Sequence, residues 1–260
     1  MELGKPPVIE AWIEFRFAVD EHAPYWDEAL AERFIQEDFS SQFRVESYHG
    51  HTRFRFEPGT VRPSIADAQV VFERLRATHK EGNRFLQVGR DVLVYNLLRK
   101  HDYWPSYQVL RTEAIEAYEK YVSFRRPSQL SGIALHYRDV VPLPLDASGQ
   151  VDIDQYLAIH TQVPRELFPI VRRFRISLSV ERARGELRLD VGNDPVAAAV
   201  GDGGSEAKIR IDWHIVSSGN ASLSPEWVQN WLDWAHADLR CAFRGVFTDK
   251  GWALLEPKES

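Results

Sequence analysis

Cysteine is nearly absent. Cys241 is the only one among 260 residues, which excludes an intrachain disulfide, a CxxC zinc site and a thiolate-ligated iron–sulfur cluster. A reducing cytoplasm is the expected home of such a chain. Long hydrophobic runs are missing too: no stretch approaches the about 20 consecutive apolar residues that span a bilayer. Met1 to Pro7 carries no basic region followed by an apolar one, so neither a membrane segment nor a signal peptide is expected. Positive charge is not in excess. With 32 Lys and Arg against 38 Asp and Glu, the formal net charge is −6, which argues against a dedicated nucleic-acid binder but leaves room for a local basic face.

Catalytic signatures are also lacking. There is no Gly-x-Ser-x-Gly, no Walker A loop and no strand-linked Gly-x-Gly-x-x-Gly; Gly201 to Ser205 is glycine-rich but lacks the lysine of a phosphate loop. The histidines are scattered, with His49 and His51 the closest pair, in an expected turn. Cys241 falls within an apolar-patterned helix, where packing is the simplest role, and His236 lies at a poor angle to activate it. No catalytic residue, metal site or cofactor is therefore expected, and the balance leans towards a non-enzyme.

What the chain has is ordinary globular composition, 44% hydrophobic and 27% charged, and a pattern that runs twice. Ala11, Ile13, Phe15 and Phe17 alternate with Glu10, Trp12, Glu14 and Arg16, the period of a half-buried strand. A helix is expected over 25–39, with Trp26, Leu30, Phe34 and Ile35 at helical spacing. Strands are expected over 43–48, 52–57 and 69–77, then two more in 84–98 joined by a turn at Gly89 to Asp91. A helix over 105–122 closes the first pass. After a boundary at Arg125 to Ser128, the second pass offers a strand over 130–142, a short helix over 152–159 and strands over 172–180 and 186–191. A loop spans 192–206, and the strand over 208–216 follows. Ser224-Pro225-Glu226 is a strong helix start, with a capping hydroxyl, proline at the first position and an acid in the first turn. The expected fold class is α+β: two similar antiparallel-sheet units, 1–127 and 128–260, each closed by a long helix, either helix-grip-like or a pseudo-duplicated sheet.

Charged residues occupy every second position of several strands. Arg173, Arg175, Ser177, Ser179 and Glu181 share a face, as do Glu186, Arg188 and Asp190, and Lys208, Arg210, Asp212 and His214; Arg53, Arg55 and Glu57 do so in the first half. Two readings stand. One is a solvated sheet face laced with cross-strand ion pairs, the commoner arrangement. The other is an anion- or ligand-binding cleft using Arg53, Arg55, Arg173, Arg175, Arg188, Lys208, Arg210 and His214, since arginine's planar fork suits phosphate. Triphosphate-tunnel enzymes line a barrel with such alternation; Glu10, Glu14 and Arg16 partly match their opening strand, but their Glu-x-Glu-x-Lys spacing is not kept. The last helix carries Trp227, Trp231 and Trp234 on one stripe. It reads either as a broad core-facing surface or, with Trp104, as a partner interface.

At Pro6-Pro-Val-Ile-Glu-Ala-Trp-Ile-Glu-Phe-Arg-Phe17 the chain resembles a sporadically distributed prokaryotic family of uncharacterised proteins of about this length, whose members open with a Pro-Pro-x-x-Glu-Ala-x-x-Glu-x-Arg-Phe strand. The likeness continues through Gly89 to Asn96, Tyr103 to Tyr107, Leu135 to Asp139 and Phe243 to Asp249. His136 and Asp139 depart from the family's usual residues. The patchy distribution implies a role in conflict between bacteria and mobile elements, as in a defence locus. The leading expectation is a non-enzymatic binding or accessory protein acting through a protein partner or as a homodimer. The alternatives are a nucleotide- or phosphate-binding protein, or an apolar-ligand binder of helix-grip type with a pocket near Trp213 and Trp231.

Overall fold

The computed structural model describes residues 6–18, 26–53, 69–101, 103–147, 151–159, 174–193, 206–219 and 221–255, with backbone only at 51–53 and 69–71. Among them, nine strands form one antiparallel sheet. They are β1 (Val8–Ala18), β2 (Phe43–Arg53), β3 (Gln69–His79), β4 (Arg84–Gly89), β5 (Val92–Leu98), β6 (Gln129–Pro144), β7 (Arg175–Arg182), β8 (Gly185–Asn193) and β9 (Glu206–Ser217). Their spatial order is β2-β3-β4-β5-β1-β6-β9-β8-β7. The opening strand of each half is thus at the centre, and the two pair with each other, Ile13 against Leu135 and Phe15 against Ile133. Both halves share one sheet, in an α+β arrangement.

Alternation fixes which face is covered. Ala11, Ile13, Phe15, Tyr95, Leu135, Ile211, Trp213 and Ile215 are buried on one face, and the helices pack there. Helix α1 (Glu28–Asp38) starts where the Asp27 carboxylate accepts from the Leu30 backbone N–H, a standard N-cap. In α2 (Tyr107–Arg125), Leu110, Ala114, Ala117, Tyr118 and Tyr121 make the buried stripe. Tyr118 packs tilted against Phe15 with ring centroids 4.8 Å apart, and Tyr121 stacks on Phe17 at 4.7 Å. The Tyr121 hydroxyl donates to the Gly89 carbonyl at 2.9 Å, so α2 also holds the β4–β5 turn. The helix ends at Arg126, whose φ of +51° breaks the repeat just before β6.

Helix α3 (Pro225–Val246) begins as its cap sequence requires, Ser224 accepting from Trp227 N–H with Pro225 at the first position. It lies over β6 and β9, as α2 lies over β5 and β1. The two helices are joined by the Tyr107–His236 stack at 3.7 Å and the Arg111–Asp233 ion pair at 2.7 Å. A short α4 (Asp249–Ala253) closes the described chain.

Four local expectations need correction. The segments 43–48 and 52–57 are not two strands with a turn between them: β2 runs unbroken to Arg53, absorbing the mismatch in register shifts at Val45/Ser47 and His49/Gly50, so His49 is a strand residue. Residues 54–57 lie outside the described residues. The helix expected over 152–159 is only a single 3-10 turn, Ile153–Gln155, too short to carry an apolar stripe of its own. Helix α1 starts at Glu28, because Asp27 is the cap and Trp26 is already turned into the core at 4% exposure. Cys241 is exposed, because the side of α3 that carries it turns away from the sheet.

Candidate functional site

The face opposite the helices carries the chain's most organised polar chemistry. Antiparallel register places Asn96, Trp12, His136, His214 and Arg188 side by side across β5, β1, β6, β9 and β8. One step along, Glu10, Arg138, Asp212 and Asp190 form a second row over β1, β6, β9 and β8. The side-chain period of two puts both rows on one face.

The second row is the centre of a hydrogen-bonded chain that crosses five strands. Gln87 donates to Asn96 at 3.1 Å, and Asn96 donates to one Glu10 oxygen at 3.0 Å. Arg138 donates to the other Glu10 oxygen at 3.1 Å and, through Nε, to Asp212 at 2.7 Å. Arg210 meets the second Asp212 oxygen at 3.0 Å. Two carboxylates and two guanidinium groups therefore alternate and cancel. Asp212 and Asn96 are each 6% exposed, while the Arg138 and Arg210 side chains are about one-third exposed, so the chain is buried at its acceptors and open to water at its guanidinium groups.

Trp12 stands above this row. It stacks on the His136 ring at 4.6 Å with the planes 4° apart, and His214 meets its edge at 6.1 Å. The Arg138 guanidinium lies 5.6 Å from the Trp12 ring. The Nδ1 atoms of His136 and His214 are hydrogen-bonded to each other, which requires one ring to donate and the other to accept. Burial, reinforced by the neighbouring His214, pushes His136 down to about 3, and burial lowers His214 as well. Both rings are neutral near pH 7, so His136 is a poor general base there. Its Nε2 is buried and has no hydrogen-bond partner among the described residues.

One more acid is unusual, on the helix side of β6. Asp139 is 1% exposed and accepts from the Trp213 indole N–H at 2.8 Å. Its other oxygen has no partner among the described residues. Burial raises it to about 7, against the lowering effect of the Trp213 bond.

The residues singled out from the sequence fall in different places. Arg55 and Arg173 lie outside the described residues, as does the side chain of Arg53. Arg175 is exposed and pairs with Asp190 at 3.1 Å; Arg188 pairs with Glu186 at 2.8 Å. Lys208 is exposed opposite Pro142. Arg210 and His214 belong to the central cluster. Each arginine of the predicted anion cleft whose side chain is described is thus neutralised by a carboxylate, and on β7 and β8 the grid is a solvated, ion-paired surface of low energetic weight.

Among the tryptophans, Trp231 is only 2% exposed, its indole donating to the Arg184 carbonyl at 3.2 Å. It is a core residue and offers no surface to a partner, because the β7–β8 turn folds over it. Trp104, Trp227 and Trp234 are half-buried and pack against the same core. Trp213, suggested as a pocket wall, is 2% exposed and engaged by Asp139.

Sequence reasoning met Glu10 only in the partial match to a triphosphate-tunnel strand and did not single out Trp12, Asn96, His136, Arg138 or Asp139 as site residues. The signal available was the polar side of the first strand, whose neighbours only the register reveals. Among the described residues, no group of three or more His, Cys, Asp and Glu side chains is placed to hold a metal ion. No helix of the described residues is long and apolar enough to cross a membrane. In comparisons with known proteins, the chain matches no protein-family model and no curated protein.

Proposed function

We propose that this chain is a binding protein without catalytic chemistry of its own, acting through a protein partner that docks on the helix-free face around Trp12. The observation that carries this reading is the charge-compensated chain Gln87–Asn96–Glu10–Arg138–Asp212–Arg210 beneath a stacked Trp12–His136 pair. A face whose charges already cancel is desolvated at less cost than one with free charges. A half-buried tryptophan held by stacking is a pre-organised anchor of the kind that dominates interfaces.

The phosphate-binding alternative is less well supported, since Arg138, Arg175, Arg188 and Arg210 would have to exchange carboxylates for the ligand. The family resemblance supports placing the partner in a bacterial conflict setting.

We further infer that the halves are repeats of one helix-closed unit. In each, an opening strand is followed by strands that fold back beside it and by a long helix over the pair, with β1 and β6 meeting at the junction.

The test is affinity purification from the native host with wild type and with Trp12→Ala, both checked for folding by circular dichroism. Wild type should retain a stoichiometric protein that Trp12→Ala loses. Equal retention by both, or retention of none, would defeat the reading.

A further inference from the structure

The two ends of the described sheet differ. At one end, β2 is interrupted by two register shifts against β3; such bulges twist an edge and discourage further pairing. At the other end, β7 pairs with β8 from Arg175 to Arg182 without a shift, and its far side has no partner strand among the described residues. On the helix side of β7, Leu178 and Val180 are each 45% exposed. They are two of the few large apolar side chains left in water among the described residues, and they neighbour each other on one face of a strand of regular register.

The sequence of this edge is nearly its own mirror: Arg175-Ile-Ser-Leu178-Ser-Val-Glu181. If two copies run antiparallel with a two-fold axis at Leu178, Ile176 faces Val180 and Ser177 faces Ser179. Arg175 of each copy, held by Asp190 of its own chain at 3.1 Å, then faces Glu181 of the other, and its remaining guanidinium N–H groups are the donors for that carboxylate. Moving the axis to Ser179 sets Arg175 against Ala183 and loses both charge pairs, while moving it to Ser177 puts Arg173, before the start of β7, opposite Glu181; the axis at Leu178 is the one that makes both pairs from residues within β7. Glu181 has reason to accept a new partner. Its opposite residue on β8 is Glu186, a like charge that disfavours the pairing, and the Glu186 carboxylate is already engaged by Arg188.

We infer that β7 is a homodimerisation edge: two copies join through Arg175–Glu181 about a two-fold axis at Leu178, continuing the sheet from one subunit into the other. The contact is isologous, as closed dimers require. Main-chain hydrogen bonds supply affinity, while the apolar and charged side chains fix the register. This assembly is independent of the Trp12 face, which it leaves open on both copies.

Sedimentation velocity and cysteine cross-linking test it together. Wild type should be a dimer, and Leu178→Lys, which sets two ammonium groups against each other on the axis, should weaken self-association by at least about tenfold. Trp12→Ala should leave self-association unchanged, which separates this proposal from the partner-binding one. In a Cys241→Ser background, Leu178→Cys should cross-link under mild oxidation, because directly opposed antiparallel residues have Cα atoms about 4.5–5.5 Å apart, within disulfide reach. Val180→Cys, equally exposed, faces Ile176 instead and should not. A monomeric wild type, a dimer indifferent to Leu178→Lys, or equal cross-linking at both positions would overturn the assignment.

Discussion

Asp139 should make the protein less stable as the pH rises from about 4 to about 7, and Asp139→Asn should remove that loss. The carboxyl is 1% exposed, with one oxygen bonded to Trp213 at 2.8 Å and the Asp212 carboxylate near enough to oppose its ionisation. Burial raises its titration from an ordinary 3.8 to about 7. Between those values the folded chain holds a proton that the unfolded chain releases. Stability therefore falls across that window and levels off above about 7. At about 1.4 kcal/mol per pH unit, the cost at full ionisation is about 2 to 4 kcal/mol.

Asparagine keeps the shape and can still accept from the indole N–H, so only the charge is lost. Urea unfolding of wild type and Asp139→Asn, at pH 5 and at pH 8, gives the assay. The variant's advantage over wild type should grow by about 2 to 3 kcal/mol from pH 5 to pH 8, because about two pH units of that window lie above pH 5. A difference that is the same at both pH values, or a variant less stable at pH 8, would show that Asp139 is not buried as a reluctant anion.

His136 acts with the opposite sign. Its proton affinity in the fold is lowered from 6.5 to about 3, so the unfolded chain takes up a proton first as the pH falls through 6.5; from pH 7 to pH 5 the wild type should lose about 1–2 kcal/mol more than His136→Gln in paired urea titrations. Equal slopes for the two would mean that the imidazole is freely solvated. Gly185 opens β8 where a β-carbon would stand 2.1 Å from the Val216 carbonyl oxygen; Gly185→Ala should therefore cost about 1–3 kcal/mol in thermal or chemical unfolding, and an unchanged midpoint would show that the β8–β9 junction gives way.

The parts of the fold that were legible are those set by near neighbours. The alternation from Glu10 to Phe17 announced β1, and Ser224-Pro225-Glu226 announced α3 to the residue. The turn at Gly89–Asp91 was legible for the same reason. The candidate site was not, because it depends on long-range register. Trp12, His136 and His214 become neighbours only when β1, β6 and β9 pair in one particular alignment, and no local pattern encodes that alignment. The arginine alternation was legible, but the carboxylates that neutralise it were not: Asp190 reaches Arg175 from the next strand. Cys241 and Trp231 show the limit of helical periodicity. The apolar stripe of α3 is wide: Trp231 is covered where the β7–β8 turn falls on it, while Cys241 lies on the side of the helix turned away from the sheet.

The placement of β1 has a consequence for how the chain is made. Its one side pairs with β5, but its other side waits for β6, Ile13 finding Leu135. While the ribosome works through the intervening half, the N-terminal strand presents an open row of backbone donors and acceptors with apolar side chains beside it. Such contacts, distant in sequence, close slowly, and unpaired strands of this kind invite association between nascent chains. The open edge passes from β1 to β6 once residue 144 has emerged, and it closes only when β9 arrives at residues 206–217.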